Sequence, residues 1–386
     1  MRVAVVVPRY GPQVVGGAET QARGFAEAAA QRGWSVEVWT TCAQSHYTWE
    51  NAYPEGMELR NGVAVRRFPI ERWNRQRWIE LERQLAHSWT LTAEEANDWL
   101  DSAPHSPSLY VHVARHATEF EAVVALPYVM PLVHYAAWAA PHRVVLWPCL
   151  HDEPYAYLEP VRLLLESVWG VMFNAPEESY LATLRLKVRP DRYAILGEGV
   201  LVGSGEGSGL RQELPEPYAL YVGRLEEGKN ISLLYEYMRR YFATKGNIRL
   251  VVIGRGPALP PRHPAFVYLG FVSEEEKAAL YRAALALCQP SLRESFSLTV
   301  MEAWLMGRPV LVHHDCAVTR GHVLRSKGGL WFRTYEEFAG ALDWFHANPG
   351  LANRMGDNGK RYVLSNYTWD AVLDRFERLI LQWREQ

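Results

Sequence analysis

Short runs of uninterrupted apolar residues recur along this chain. Each is followed by a stretch in which apolar positions return every three or four residues. Val3–Val7, Val36–Thr40, Val123–Leu126, Val144–Trp147 and Val171–Phe173 are the runs of the first half. Tyr218–Val222, Leu250–Ile253, Phe266–Leu269, Leu285–Gln289 and Val310–Val312 are their counterparts in the second. A strand that is apolar on both faces is buried on both, as in parallel sheets covered by helices. The intervening stretches, Glu19–Gln31 and residues 230–242, 274–284, 298–306, 334–346 and 350–364, predict those helices. The predicted fold class is α/β, with two Rossmann-like doubly wound domains facing a cleft where ligands meet the strand C-terminal ends.

The pattern also marks boundaries. Residues 1–196 read as a first domain and 218–366 as a second. Within the first, residues 71–118 are rich in Trp, Arg, Glu and His and predict a helical insertion packed on or over the domain. Between the two, residues 197–217 carry glycines at 197, 199, 203, 205, 207 and 209, then Pro215 and Pro217. No GK[ST] follows these glycines, so the segment predicts a linker and not a phosphate loop. Residues 367–386 hold a last amphipathic helix, Trp369–Gln386.

Composition narrows the function. The chain has 386 residues, 48% of them hydrophobic and 22% charged, enough for full cores in two or three domains. A net charge of −2 argues against nucleic acid as a partner. Cys42, Cys149, Cys288 and Cys316 form no CxxC and read as buried thiols of a reducing compartment. His112 and His116 have an i, i+4 spacing but no evident third ligand, so no metal site is expected. Fifteen tryptophans offer faces for sugar rings, yet most tryptophans fill cores. Met1 leads into a strand and not into a signal peptide. The apolar stretch Phe120–Pro141 is interrupted by Glu121, His134 and three prolines, unlike a spanning helix. The expected location is the cytoplasm, with peripheral contact at the inner membrane face. Arg72–Trp78 reads either as a surface for lipid or an anionic acceptor, or as a solvated helix face.

Candidate chemistry gathers at strand ends. Glu294 and Glu302 are eight positions apart, roughly 12 Å along an ideal helix. That is too far for an acid–base pair, but suited to the two ends of an elongated ligand with an anion between them. Gly223, Arg224 and Lys229 follow the first strand of the second domain. A guanidinium fork and an ammonium there suit a departing diphosphate. Asn230 is expected to cap the next helix. Gly254 follows another strand and would let a ligand approach the backbone. In the first domain, Gly16 and Gly17 precede Glu19 at a helix start and read either as a close approach to an anion or sugar hydroxyl or as a tight turn. They do not form GxGxxG. His151 and Asp152 follow the strand Val144–Trp147; the histidine could donate to a sugar hydroxyl or be held by its acidic neighbours. The sequence has no DxD, GxSxG or HExxH.

Together, Gly223-Arg224 with Lys229, Glu294-Ser295-Phe296-Ser297 running to Glu302, and the Gly16-Gly17 loop resemble glycosyltransferase family 4. These are retaining enzymes of GT-B fold that use nucleotide-sugar donors. The resemblance implies that Arg224 and Lys229 bind the donor diphosphate. Glu294 would contact the donor sugar, together with amides around Phe296, Ser297 and Leu298, and Glu302 would hold the ribose. It places His151 near the anomeric centre and the Gly16-Gly17 loop against phosphates and acceptor. It also implies that the C-terminal helix crosses back to the first domain. A metal-independent hexosyltransferase is expected, with the nucleoside-diphosphate sugar as co-substrate, no cofactor, and a sugar, polysaccharide or lipid-linked acceptor. A nucleotide-sugar epimerase on the same scaffold and a non-catalytic nucleotide-sugar-binding protein are the rivals. Ser297 stands where the family often has glycine, as does Asn230, and the stretch from His313 to Gly329 departs from the family pattern.

Overall fold

The computed structural model describes residues 1–14, 16–201, 214 and 216–386. Its strands, in chain order, are β1 Arg2–Val6, β2 Ser35–Thr41, β3 Gly56–Arg60, β4 Val63–Phe68, β5 Ala122–Ala125, β6 Val144–Leu146 and β7 Gly170–Phe173. There follow β8 Tyr193–Ile195, β9 Tyr218–Val222, β10 Arg249–Ile253, β11 Phe266–Gly270, β12 Ala286–Gln289, β13 Val310–His313 and β14 Gly329–Phe332. The chain divides into two compact units, Met1–Gly199 with Trp369–Gln386, and Val200–Thr368. Most of the linker expected at 197–217 lies outside the described residues.

In the first unit the sheet order is β3-β4-β2-β1-β5-β6-β7-β8. All pairs are parallel except the β3–β4 hairpin. The order reverses between β1 and β5. Residues 71–118 are largely helical and pack on one face of this sheet. They supply the crossover from β4 to β5 as three helices, Arg75–Ser88, Ala93–Ser102 and Pro107–His116. Leu81, Trp99, Leu109 and Val113 from these helices share one core with Val123 and Leu146 of the sheet.

The other face of this sheet is covered by the helices Gly17–Gln31 and Trp369–Glu385. Phe25 and Phe376 meet edge to face with centroids 5.0 Å apart. Two glycines make room for the tryptophans of the last helix. A Cβ on Gly24 would sit 2.4 Å from the Trp369 ring, and one on Gly170 2.4 Å from Trp383. Burying a side chain such as Phe376 stabilises the unit by about 2–3 kcal/mol.

The second unit has the order β11-β10-β9-β12-β13-β14, parallel throughout. The chain winds outward twice from the centre of this sheet, and the reversal falls between β9 and β12. Loops leaving these two strands at their carboxyl ends diverge to opposite faces and leave a crevice between them. The stretch from His313 to Gly329 is the end of β13, a helix Ala317–Ser326 and the start of β14. Gly329 belongs to the sheet, where a Cβ would lie 2.1 Å from the Val310 carbonyl oxygen.

Candidate functional site

Side chains expected to carry chemistry in the second unit come from the loops after β9 and β12, at the reversal. Gly223 opens the first of these loops. Its amide donates to the Ile253 carbonyl at 3.1 Å, and a Cβ on Gly254 would meet the Gly223 oxygen at 1.8 Å. The two glycines therefore let the β9 and β10 loops stack on each other. That packing accounts for Gly254 without any ligand. Tyr221, buried in β9, donates its hydroxyl to the Arg224 carbonyl at 2.8 Å and fixes the loop from below. The Arg224 guanidinium is 55% exposed and lies 3.1 Å from Glu226.

Lys229 ends a short turn, Glu227–Lys229, and its Nζ donates to Glu294 Oε1 at 2.8 Å. Asn230 does not cap the following helix with its side chain. It adopts the left-handed conformation, φ 55°, which asparagine tolerates better than most residues, and donates Nδ2–H to the Pro290 carbonyl at 3.1 Å. The β9 loop is thus tied to the β12 loop twice, by a main-chain acceptor and by an ion pair.

The helix Leu298–Leu305 starts immediately beyond. Ser297 precedes it at φ +78°, which explains why glycine suits this position and why serine is a strained substitute. Gln289 holds the turn by donating to Ser297 Oγ at 3.3 Å and Thr299 Oγ1 at 3.1 Å. Leu298 and Thr299 are in the first turn, where amides have no intrahelical acceptor and attract anions. The Phe296 ring is buried edge-on to His322 and Tyr367, at 5.3 and 4.9 Å. Its side chain anchors the loop, leaving only its backbone for contact.

Glu302 sits mid-helix, so the two glutamates lie on different elements and are not spanned by one helix. Each has its own lysine. Lys277 Nζ donates to Glu302 Oε1 at 3.1 Å, and Tyr281 Oη to Oε2 at 2.9 Å. Both partners lie on the helix Glu274–Ala283, one turn apart. Nothing in their sequence context marks them, because a lysine and a tyrosine four positions apart on an amphipathic helix are common.

In the first unit the Gly16-Gly17 turn opens the helix Gly17–Gln31. Glu19 folds back toward it, so a Cβ on Gly16 would meet Glu19 Oε2 at 2.0 Å, whereas one on Gly17 would meet nothing within 4 Å. Glu19 is paired with Arg9, a nearly buried partner that the sequence reading missed. After β6, His151 Nδ1 lies 3.4 Å from Glu153, whose Oε1 also accepts from the buried Tyr128 hydroxyl at 2.8 Å. Asp152 is engaged elsewhere. It pairs with Arg185 and accepts from Tyr157 at 2.7 Å. His112 packs against Trp39 and Phe68, and burial lowers its pKa to about 4. Among the described residues no three His, Cys, Asp or Glu side chains are grouped to hold a metal ion.

Two doubly wound α/β units define the GT-B class of glycosyltransferase fold, and solved structures agree. Sucrose-phosphate synthase from Thermosynechococcus elongatus superposes with a TM-score of 0.71 over 99% of this chain and 98% of its own, at 18% identity. Anabaena HepE in complex with UDP gives 0.71 over 99% and 100%, at 14% identity. Residues 209–362 match the family described as Glycosyl transferases group 1. The match is confined to the second half of the chain. An uncharacterized glycosyltransferase of Methanocaldococcus jannaschii is 24% identical over 96% of both chains. Higher identity is more local. D-inositol 3-phosphate glycosyltransferase of Streptomyces coelicolor is 38% identical over 26% of this chain and 22% of its own.

Proposed function

We propose that the protein is a retaining glycosyltransferase of family 4 that moves a hexose-type sugar from a nucleoside diphosphate to an acceptor hydroxyl without a metal ion. The observation that carries this reading is the convergence of Lys229 and Glu294 at the reversal of the second sheet, beside the first-turn amides of Leu298 and Thr299. A cation next to free amides suits a diphosphate, and an adjacent carboxylate suits the hydroxyls of the sugar it carries. Glu302, held by Lys277 and Tyr281, is the acceptor for the ribose.

In this reading Arg224 and Lys229 stabilise the charge that grows on the leaving diphosphate, and the helix amides add fixed dipoles. The acceptor hydroxyl attacks on the face from which the phosphate departs, and a phosphate oxygen takes its proton. The glycosidic bond to phosphate breaks as the new one forms, so the anomeric configuration is kept. Gly17 offers backbone to the phosphates and acceptor, and His151 a ring nitrogen to the sugar near its anomeric centre. HepE has been crystallised with UDP-glucose, which makes uridine donors the first to test.

The test is incubation of the protein with UDP-, GDP- and ADP-hexoses and candidate acceptors, reading nucleoside diphosphate release and the anomeric configuration of the product by NMR. Release of diphosphate with retained configuration is expected. Inverted product, or isomerisation of the donor with no release, overturns the reading.

A further inference from the structure

At the opposite end of the second sheet from the loops just described lies a cavity of about 750 Å³. Lys327, on its wall, ends the helix Ala317–Ser326 two residues before β14, so this is the edge where strands begin, whereas the nucleotide loops follow strand ends. Its other wall is the helix Pro349–Asn366. Lys327, Arg354, Lys360 and Arg361 line it against one acidic residue, Asp357. Among the described residues none of these four cations forms an ion pair. Their charge is concentrated on a chain whose net charge is −2.

The cavity is also greasy. Trp344 and Met355 contribute to it, and Leu351 and Leu364 stand on the same helix 39% and 41% exposed. A small inorganic anion would use the cations but leave the leucines in water. A ligand with an anionic head and an apolar body uses both, since lysine and arginine stems lie along apolar surface while their heads reach for phosphate.

We infer that this groove seats the phosphate headgroups of an anionic lipid surface, with Leu351 and Leu364 entering the interface beside them. The charge complementarity favours lipid over a neutral partner, and the exposed leucines favour a surface with an apolar layer over a soluble phosphate. The contact is independent of the donor site and does not rest on the proposed transfer reaction.

Sedimentation of the full-length protein with vesicles tests this. Vesicles of phosphatidylcholine mixed with phosphatidylglycerol are expected to capture the wild type, and pure phosphatidylcholine vesicles are not. Arg354→Glu with Lys360→Glu should weaken capture at least about tenfold, as loss and reversal of cations at a charged surface predict. A milder pair, Lys327→Gln with Lys360→Gln, should also lose capture, and an unchanged melting temperature in all three proteins guards against misfolding as the cause. Equal capture of wild type and variants, or none of the wild type, overturns the inference. So does binding of inorganic phosphate or of soluble polyphosphate in the groove without vesicle capture, which would assign it to a soluble anion or a polymer.

Discussion

Lys229 Nζ and Glu294 Oε1 lie 2.8 Å apart although 65 positions separate them in the chain. They meet because β9 and β12 are neighbours in the sheet and Asn230 ties one loop to the other. In the free protein each is the other's counter-ion. Under the proposed function, a diphosphate would meet an ammonium already held in place, and little ordering entropy would be lost on binding. Lys229→Ala is expected to lower kcat by about a hundredfold, the usual order for one lost stabiliser of developing charge. The substitution also strips Glu294, only 11% exposed, of this counter-ion, so the melting temperature should fall by a few degrees and rates are compared well below it. Turnover close to wild type would remove Lys229 from the diphosphate role.

If cationic side chains and helix amides neutralise the leaving group by themselves, a divalent ion has no task. Activity is then expected to survive an excess of EDTA, measured as nucleoside diphosphate release. Recovery only on adding back Mg²⁺ or Mn²⁺ would contradict this.

Glu302 gives a test with a different signature. Lys277 and Tyr281 restrain one carboxylate oxygen each, so the group presents its remaining lone pairs in one direction. Lys277→Ala frees the carboxylate to turn, which, if Glu302 holds the ribose as proposed, weakens a contact that is the same in ground and transition states. The expected result is a donor KM raised about tenfold with kcat nearly unchanged. Lys277→Arg should recover part of the affinity. A fall in kcat with constant KM would place Lys277 in another role.

The alternation of apolar runs made the two-sheet architecture legible, because central parallel strands must be apolar on both faces. The edges were not legible. β3 and β14 are half solvated, with Met57, Leu59 and Trp331 exposed, and their patterns do not stand out from loops. The candidate residues Arg224, Lys229 and Glu294 stood out as residue types at strand ends. The supporting side chains did not, because Tyr221, Gln289, Lys277 and Tyr281 act through contacts between elements that no local spacing announces. Asn230 shows the limit of local rules. An asparagine before a helix predicts a cap, but the tight turn after Lys229 needs a left-handed residue, and the loop contact to Pro290 claims the side chain.

The glycines separate structural from functional need. Gly254 takes φ +138°, and a Cβ there would collide with the Gly223 carbonyl, which is backbone and cannot rotate away. Gly254→Ala is expected to cost several kcal/mol, on the order of 3, through strain and loss of the stacked loops. Gly17 is a helical residue with open space around its Cα. Gly17→Ala should stabilise the fold by about 0.5–1 kcal/mol by chain entropy and helix propensity. If a phosphate or acceptor approaches that backbone, the same variant loses activity while gaining stability. Chemical denaturation and initial rates on both variants decide this. An active, stabilised Gly17→Ala protein would mean the turn touches no substrate.

His134 links burial to pH. It lies fully buried in the helix Pro131–Ala139, edge-on to Trp138 at 5.5 Å. Its Nε2–H donates to the Tyr128 carbonyl at 2.6 Å, which fixes the neutral tautomer. Burial lowers its pKa to about 4, against the usual value near 6.5. Between those values the unfolded chain binds a proton that the folded chain does not. His134 therefore supports the fold fully above pH 6.5, and that support drains away as pH falls toward 4. The shift corresponds to at most about 3 kcal/mol. His134→Gln can keep a donor toward Tyr128 without titrating. Its urea midpoint is expected to fall less between pH 7 and pH 5 than that of the wild type. The slope should flatten without vanishing, because the half-buried His112 and the buried His322 are shifted in the same direction. An unchanged slope in His134→Gln would show that the imidazole finds a way to ionise inside the folded unit.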